Sequence, residues 1–230
     1  MSHIAERMQG VRERIAAAAV AAGRQPEEIR MLAVSKTFPA TAIAEAFSAG
    51  QTAFGENYVQ EALGKIDALR SLPRLEWHMI GPLQSNKTTA AAASFSWVHS
   101  IERLKVAQRL AMARPAAASP LSVCIQVNIS GEATKSGVPP GEALGLASAV
   151  AGLPRLRLRG LMGIAEAGGR EAALQFRALR GLYDALRAQG LPLDTLSMGM
   201  SDDLECAIAE GSTMVRVGSA IFGERARATA

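Results

Sequence analysis

Three short stretches of this sequence carry residue types that could do chemistry together. Lys36 closes the run Met31-Leu32-Ala33-Val34-Ser35. An amine desolvated at the end of an apolar segment has a lowered pKa and becomes a nucleophile toward carbonyl groups, so Lys36 is a candidate for Schiff-base chemistry. The bland alternative is a lysine that snorkels to the surface. Lysine is scarce here, with five against twenty arginines, so one that ends an apolar run stands out. The second stretch is Ser197-Met198-Gly199-Met200-Ser201-Asp202-Asp203, and the third is Arg216-Val217-Gly218-Ser219. Small residues dominate both, and their N–H groups can converge on an anion. A helix opening at Ser201 or Asp202 would point its positive end at the same spot, which makes a phosphate-type site. Ordinary capping is the competing reading, because Asp202 followed by Glu205 resembles a capping box.

Other residues are ambiguous when read alone. Arg216 lies between Val215 and Val217, so on a strand its side chain faces away from both and is buried. A buried guanidinium needs an acceptor, either a structural carboxylate or the ring nitrogen of a cofactor. Asn57, after Phe54-Gly55-Glu56, fits a helix cap as well as a ligand contact. His78, between Trp77 and Met79, fits a satisfied core histidine.

The elements that must position these residues follow from hydrophobic spacing. Ile4, Met8, Val11, Ile15 and Ala19 step by three or four and predict an amphipathic helix that ends at Gly23. Strand-type runs follow at about 31–35, 52–54, 76–80, 96–98, 122–128, 157–162, 194–198 and 213–217. Helical patterns fill the gaps at about 40–50, 57–69, 85–93, 101–113, 140–150, 170–188 and 202–210, with a short segment after Gly218. Such alternation suits right-handed crossovers between parallel strands. Eight units without a linker predict a single-domain (β/α)8 TIM barrel over residues 1–230, with one extra N-terminal helix. A doubly wound open sheet fits less well, because the first strand runs into Ser35-Lys36-Thr37-Phe38-Pro39 and lacks a Gly-rich turn. In a barrel the residues just past the strand ends share one mouth, and Lys36, Asn57 and both small-residue turns occupy such positions.

Composition narrows the classes. With 230 residues, 49% hydrophobic and 20% charged, the chain can fill one core. Its apolar runs are too short to span a membrane, and its start lacks the apolar core of a signal peptide, so the expectation is a cytoplasmic protein. A net charge of +4, spread along the chain, gives little support for nucleic acid, and Arg155, Arg157 and Arg159 read as a solvated rim. Cys124 and Cys206 read as two buried thiols; no metal site is expected.

Five ordered motifs resemble one family. Ala33-Val34-Ser35-Lys36, Phe54-Gly55-Glu56-Asn57-Tyr58-Val59-Gln60-Glu61, Trp77 through Lys87, Leu196 through Asp203 and Gly211 through Gly223 are similar to the pyridoxal phosphate homeostasis proteins. These are single-domain relatives of the N-terminal barrel of alanine racemase. The resemblance implies that Lys36 holds pyridoxal 5′-phosphate (PLP) as a Schiff base, with Asn57 near the ring and Arg216 facing the ring nitrogen. It places the phosphate among Ser201, Gly218 and Ser219, with Ser197 and Met200 nearby, and adds His78 as a cofactor contact. Ser219 stands where many relatives carry Thr, which keeps the hydroxyl. The implied role is to hold and supply PLP inside the cell, with PLP-dependent apo-enzymes as recipients, as a monomer or weak homodimer. Weak amino-acid racemisation is the alternative, and it requires a second acid/base, for which Tyr58 and Tyr183 are the available tyrosines. An enzyme for sugar phosphates would share the phosphate site but not the Schiff base.

Overall fold

A computed structural model describes residues 2–132, 135–166 and 169–224. Eight parallel strands close into a barrel in sequence order: β1 (Arg30–Val34), β2 (Ala53–Glu56), β3 (Glu76–Met79), β4 (Trp97–Ile101), β5 (Leu121–Val127), β6 (Leu156–Gly163), β7 (Thr195–Ser197) and β8 (Met214–Val217). β8 pairs back onto β1 with Leu32 beside Arg216 and Ala33 beside Val217. The helices are α1 (His3–Ala21), α2 (Ala40–Ser48), α3 (Val59–Ala68), α4 (Thr88–Ser94), α5 (Leu104–Ala113), α6 (Pro140–Ala151), α7 (Gly169–Ala188), α8 (Leu204–Ala209) and α9 (Ser219–Phe222). The expected barrel with a leading helix is therefore the observed fold.

Strand alternation sorts side chains into two cores. Outward residues such as Ala33, Phe54, Trp77, Val98, Val123, Ile125, Leu161, Leu196 and Val215 pack beneath the helix layer. Inward residues form a smaller cluster of Leu32, Ala53, Trp97, Cys124, Met162 and Met214, with Ile80 beside it. The extra helix α1 starts with Ser2, whose hydroxyl accepts from the Ala5 amide at 3.3 Å. Its buried stripe of Met8, Val11, Ile15 and Ala19 lies against α2, α8 and α9, the helices around the β8–β1 closure. Arg14 pairs with Glu205 on α8 at 2.7 Å, and Arg24 donates to the Ser212 carbonyl at 2.7 Å.

Three details depart from the sequence reading. β4 continues past Val98 to Ile101, because His99 and Ser100 are polar yet buried, and a hydrophobicity pattern stops at such residues. α5 starts correspondingly later, at Leu104. Of the two thiols, Cys124 is fully buried, whereas Cys206 is partly exposed.

Between β5 and β6 the register slips, with Val123 opposite Leu158 but Cys124 opposite Gly160. Arg159 is the extra residue of this bulge. It sits 4.6 Å over the Trp97 ring and pairs with Asp194 at 2.7 Å, closing the barrel end opposite the strand C-termini. The bulge needs Gly160, because an added Cβ would overlap the Thr195 carbonyl of the neighbouring strand. Gly160→Ala is expected to destabilise the fold by roughly 1–3 kcal/mol or more, read as a lower urea midpoint at unchanged m-value.

Candidate functional site at the barrel mouth

A cavity of about 680 Å³ opens at the C-terminal ends of the strands, lined among others by Lys36, Asn57, Met200, Ser201, Arg216, Gly218 and Ser219. Those are seven of the nine residues singled out from the sequence. The other two, His78 and Ser197, do not line it; they are fully buried beneath its floor.

Lys36 sits in the turn that leaves β1, half-buried. The residues on either side of it are tied to a buried ionic cluster on the helix side of the sheet. Lys65 Nζ, from α3, donates to the Ser35 carbonyl at 2.8 Å, to Glu56 Oε1 at 2.7 Å and to Glu61 Oε1 at 2.6 Å. Ser35 Oγ donates to the same Glu56 oxygen at 2.6 Å, and the Thr37 amide donates to Glu61 Oε1 at 2.6 Å. Thr37 has φ of +69°, a left-handed conformation that a β-branched residue holds only when its surroundings impose it. The Glu61 bond supplies that constraint. Burial pushes the Glu56 carboxyl above its ordinary range, against the opposing pull of Lys65 and Ser35. Its second oxygen, Oε2, has no hydrogen-bond partner among the described residues.

Arg216 projects into the barrel from β8 and is 5% exposed. Nη1 donates to the Ser197 carbonyl at 2.7 Å and to Ser197 Oγ at 2.9 Å, and Nη2 donates to the Gly163 carbonyl at 2.9 Å. All three acceptors are neutral. Burial lowers its pKa to about 10, and Asp203 only partly counters this, so the guanidinium stays charged at neutral pH. A cation held by neutral groups, with one face on a cavity, is complementary to an acceptor or an anion in that cavity.

On the β7–β8 side, Ser201, Gly218 and Ser219 come together as expected, but capping follows a different arrangement. Asp203, not Ser201 or Asp202, is the N-cap of α8, and its carboxylate accepts from the Met200 amide at 2.5 Å. Glu205 pairs with Arg14 rather than forming a capping box. Ser201 Oγ accepts from the Ala220 amide at 3.4 Å, linking this turn to the start of α9, where Gly218 is the N-cap and Ser219 the first residue. Asn57 does not cap α3, whose N-cap is Tyr58. The close approach of the next loop sets its place, since a Cβ at Gly81 would strike the Asn57 backbone. Lys135 also lines the cavity, paired with Glu132 at 2.6 Å.

Comparison with known proteins decides the family. The family model described as alanine racemase, N-terminal domain, matches residues 8–226. The chain is similar to the pyridoxal phosphate homeostasis protein of Pseudomonas aeruginosa, 58% identical over 225 residues that cover 98% of this chain and 97% of the relative. With its counterpart from Escherichia coli K12 it is 55% identical over 230 residues, covering 98% of each. The chain belongs to the pyridoxal phosphate homeostasis protein family. Among solved structures it is similar to PipY of Synechococcus elongatus PCC7942 with PLP bound, with a TM-score of 0.83 and 37% identity over 96% of this chain and 100% of that one.

Two parts of this family member's site escaped the sequence reading. Lys65 follows Val59 and Ala62 on the buried stripe of α3, a spacing that marks it as facing the sheet. His99 lies two residues after Trp97 and so shares its inward face. It bonds His78 and Ser197, and the two rings are kept neutral chiefly by burial, which lowers His78 to about 4 and His99 well below its ordinary value.

Two outcomes follow. Lys65→Met leaves Glu56 buried without its counter-charge and is expected to cost about 3–5 kcal/mol, measured by denaturant unfolding, with Lys65→Arg losing less. Below pH 6.5 the unfolded chain protonates both imidazoles and the folded chain does not, so the stability they confer is complete above about 6.5 and declines toward pH 4. Glu56, with its raised pKa, opposes this by at most one proton. Net uptake of about one to two protons on unfolding at pH 5.5 is expected from the slope of unfolding free energy against pH; a zero or reversed slope contradicts the neutral pair.

Proposed function

We propose that this protein binds PLP at the barrel mouth as a Schiff base on Lys36, and that it stores the cofactor and passes it to PLP-dependent apo-enzymes without substantial turnover. The observation that carries this reading is the convergence on one cavity of a lysine, a buried arginine held by neutral acceptors, and the Ser201, Gly218 and Ser219 turns.

The donor set fits the cofactor group by group. Bound there, PLP would supply an aldehyde for an amine and an aromatic ring that acts as an electron sink. Lys36 provides the amine, on a turn fixed at Ser35 and Thr37. The Ser201 and Ser219 hydroxyls and the N-terminus of α9 provide donors for a phosphate. Arg216 provides the partner for the ring nitrogen. Because a guanidinium only donates, it favours the unprotonated nitrogen, which weakens the ring as an electron sink. The cavity volume falls in the range of small-molecule sites, about 300–1,000 Å³.

The positions of the tyrosines support storage over racemisation, which needs an acid/base on each face of the substrate. Tyr183 is buried on α7 and donates to the Leu193 carbonyl at 3.1 Å. Tyr58 is 62% exposed and is not among the residues lining the cavity.

Addition of one equivalent of PLP is expected to produce visible absorption, and borohydride reduction to fix the adduct on the peptide carrying Lys36. A first-equivalent adduct located elsewhere overturns the assignment, and D/L exchange of an amino acid at an enzyme-like rate overturns the storage role. Pyridoxal, which lacks the phosphate, is expected to bind at least about tenfold more weakly.

A further inference from the structure

Beneath the mouth, polar side chains from four strands cross the barrel interior in a line. Arg216 Nη1 lies 2.9 Å from Ser197 Oγ, Ser197 Oγ lies 3.0 Å from His99 Nδ1, and His99 Nε2 lies 2.9 Å from His78 Nδ1. His78 Nε2 then lies 3.2 Å from Glu76 Oε1, off the line of a good hydrogen bond. Glu76 is held by both terminal nitrogens of Arg30, at 3.2 and 2.5 Å. His78, His99 and Ser197 are fully buried, and His78 stacks on Trp97 at 5.2 Å with the planes 9° apart.

Each end of this line is chemically fixed. Arg216 can only donate, and the ionised Glu76 can only accept. Burial favours a protonated Glu76, but the contact with His78 and the pair with Arg30 outweigh it and hold the carboxyl well below its ordinary range. Between the ends, two neutral rings and a hydroxyl admit two arrangements. In the first, His78 carries its proton on Nε2, toward Glu76, and accepts at Nδ1 from His99 Nε2–H. His99 Nδ1 then accepts from the Ser197 hydroxyl, whose lone pairs remain for Arg216. In the second, all of these bonds reverse, an imidazole lone pair faces the carboxylate, and the Ser197 hydrogen has lost His99 as its acceptor. The carboxylate excludes the second arrangement.

We infer that His78, His99 and Ser197 form a one-directional hydrogen-bond chain that positions Arg216, with the proton arrangement dictated by the Glu76 carboxylate at the end of the barrel opposite the mouth. His99 and Ser197 are positioning residues for the arginine side of the site. The role of Arg216 toward the pyridine nitrogen rests on the proposed function, whereas the chain does not depend on it.

The test has two arms. Long-range ¹H–¹⁵N NMR of the protein without cofactor at pH 7 is expected to show both His78 and His99 protonated at Nε2 only. A proton on Nδ1 of either ring, or a charged ring, overturns the chain whatever the protein binds. In the second arm, Ser197→Ala, a small change that keeps the fold, is expected to shift the His99 Nδ1 resonance. It is also expected to weaken PLP binding roughly threefold to tenfold and move the absorption maximum of the bound cofactor. His99→Leu changes both binding readouts in the same direction. Unchanged affinity and spectrum in Ser197→Ala overturn the positioning role. If the wild type forms no adduct with PLP, the functional reading fails, and the NMR arm still decides the chain.

Discussion

The constraint around which this structure is arranged is a guanidinium buried inside a barrel with neutral acceptors only. An unpaired charge in such a place is costly, and a cation of this kind usually brings a carboxylate with it. Here Arg216 ends on two carbonyls and a hydroxyl. Its charge is therefore only partly compensated, and the open side of the group faces the cavity. The arrangement carries a stability cost and confers selectivity for an acceptor or anion at one spot, which is the trade seen where binding sites override local stability.

Strand alternation allows the same sheet to hold the site from both faces. On the inner face, β3, β4 and β7 present His78, His99 and Ser197 in a row beneath Arg216. On the outer face, Ser35 and Glu56 meet Lys65 and Glu61 of α3 and fix the turn that carries Lys36. The two networks serve different ends. The inner one consists of two neutral rings and a hydroxyl, all fully buried. The outer one consists of charges, and it survives burial because each hydrogen of the Lys65 amine meets an acceptor.

Legibility in the sequence followed the same division. The barrel could be read because eight apolar runs alternate with amphipathic helices, and the mouth could be read because chemistry at strand ends is marked by breaks in those runs. Lys36, Asn57, Ser201, Arg216, Gly218 and Ser219 all sit at such breaks. What could not be read is polar burial. Hydropathy treats a buried imidazole such as His99 as a strand boundary, and a single lysine within a helical pattern reads as a surface charge, although the spacing of Lys65 places it on the sheet-facing stripe. His78 fits the core histidine that its neighbours suggest, whereas the cofactor contact implied by the resemblance is not matched by the cavity lining, because residue spacing along a strand does not resolve depth.

Lys36 and Lys65 meet at one turn beside the mouth and differ in where their side chains lie. Lys65 is the more deeply buried, but its amine is engaged by two carboxylates and a carbonyl, which occupy every hydrogen. An amine so engaged on the helix side of the sheet is not among the groups that line the cavity. Lys36 is only half-buried, yet it lines the cavity, and the nearby carboxylates Glu56 and Glu61 bind Lys65 on the far side of the turn. The cluster thus does two things by one set of contacts: it shapes the Lys36 turn through Ser35 and Thr37, and it draws Glu56 and Glu61 into a pairing with Lys65. The contacts that occupy the Lys65 amine are thus the same ones that shape the turn on which Lys36 lines the cavity.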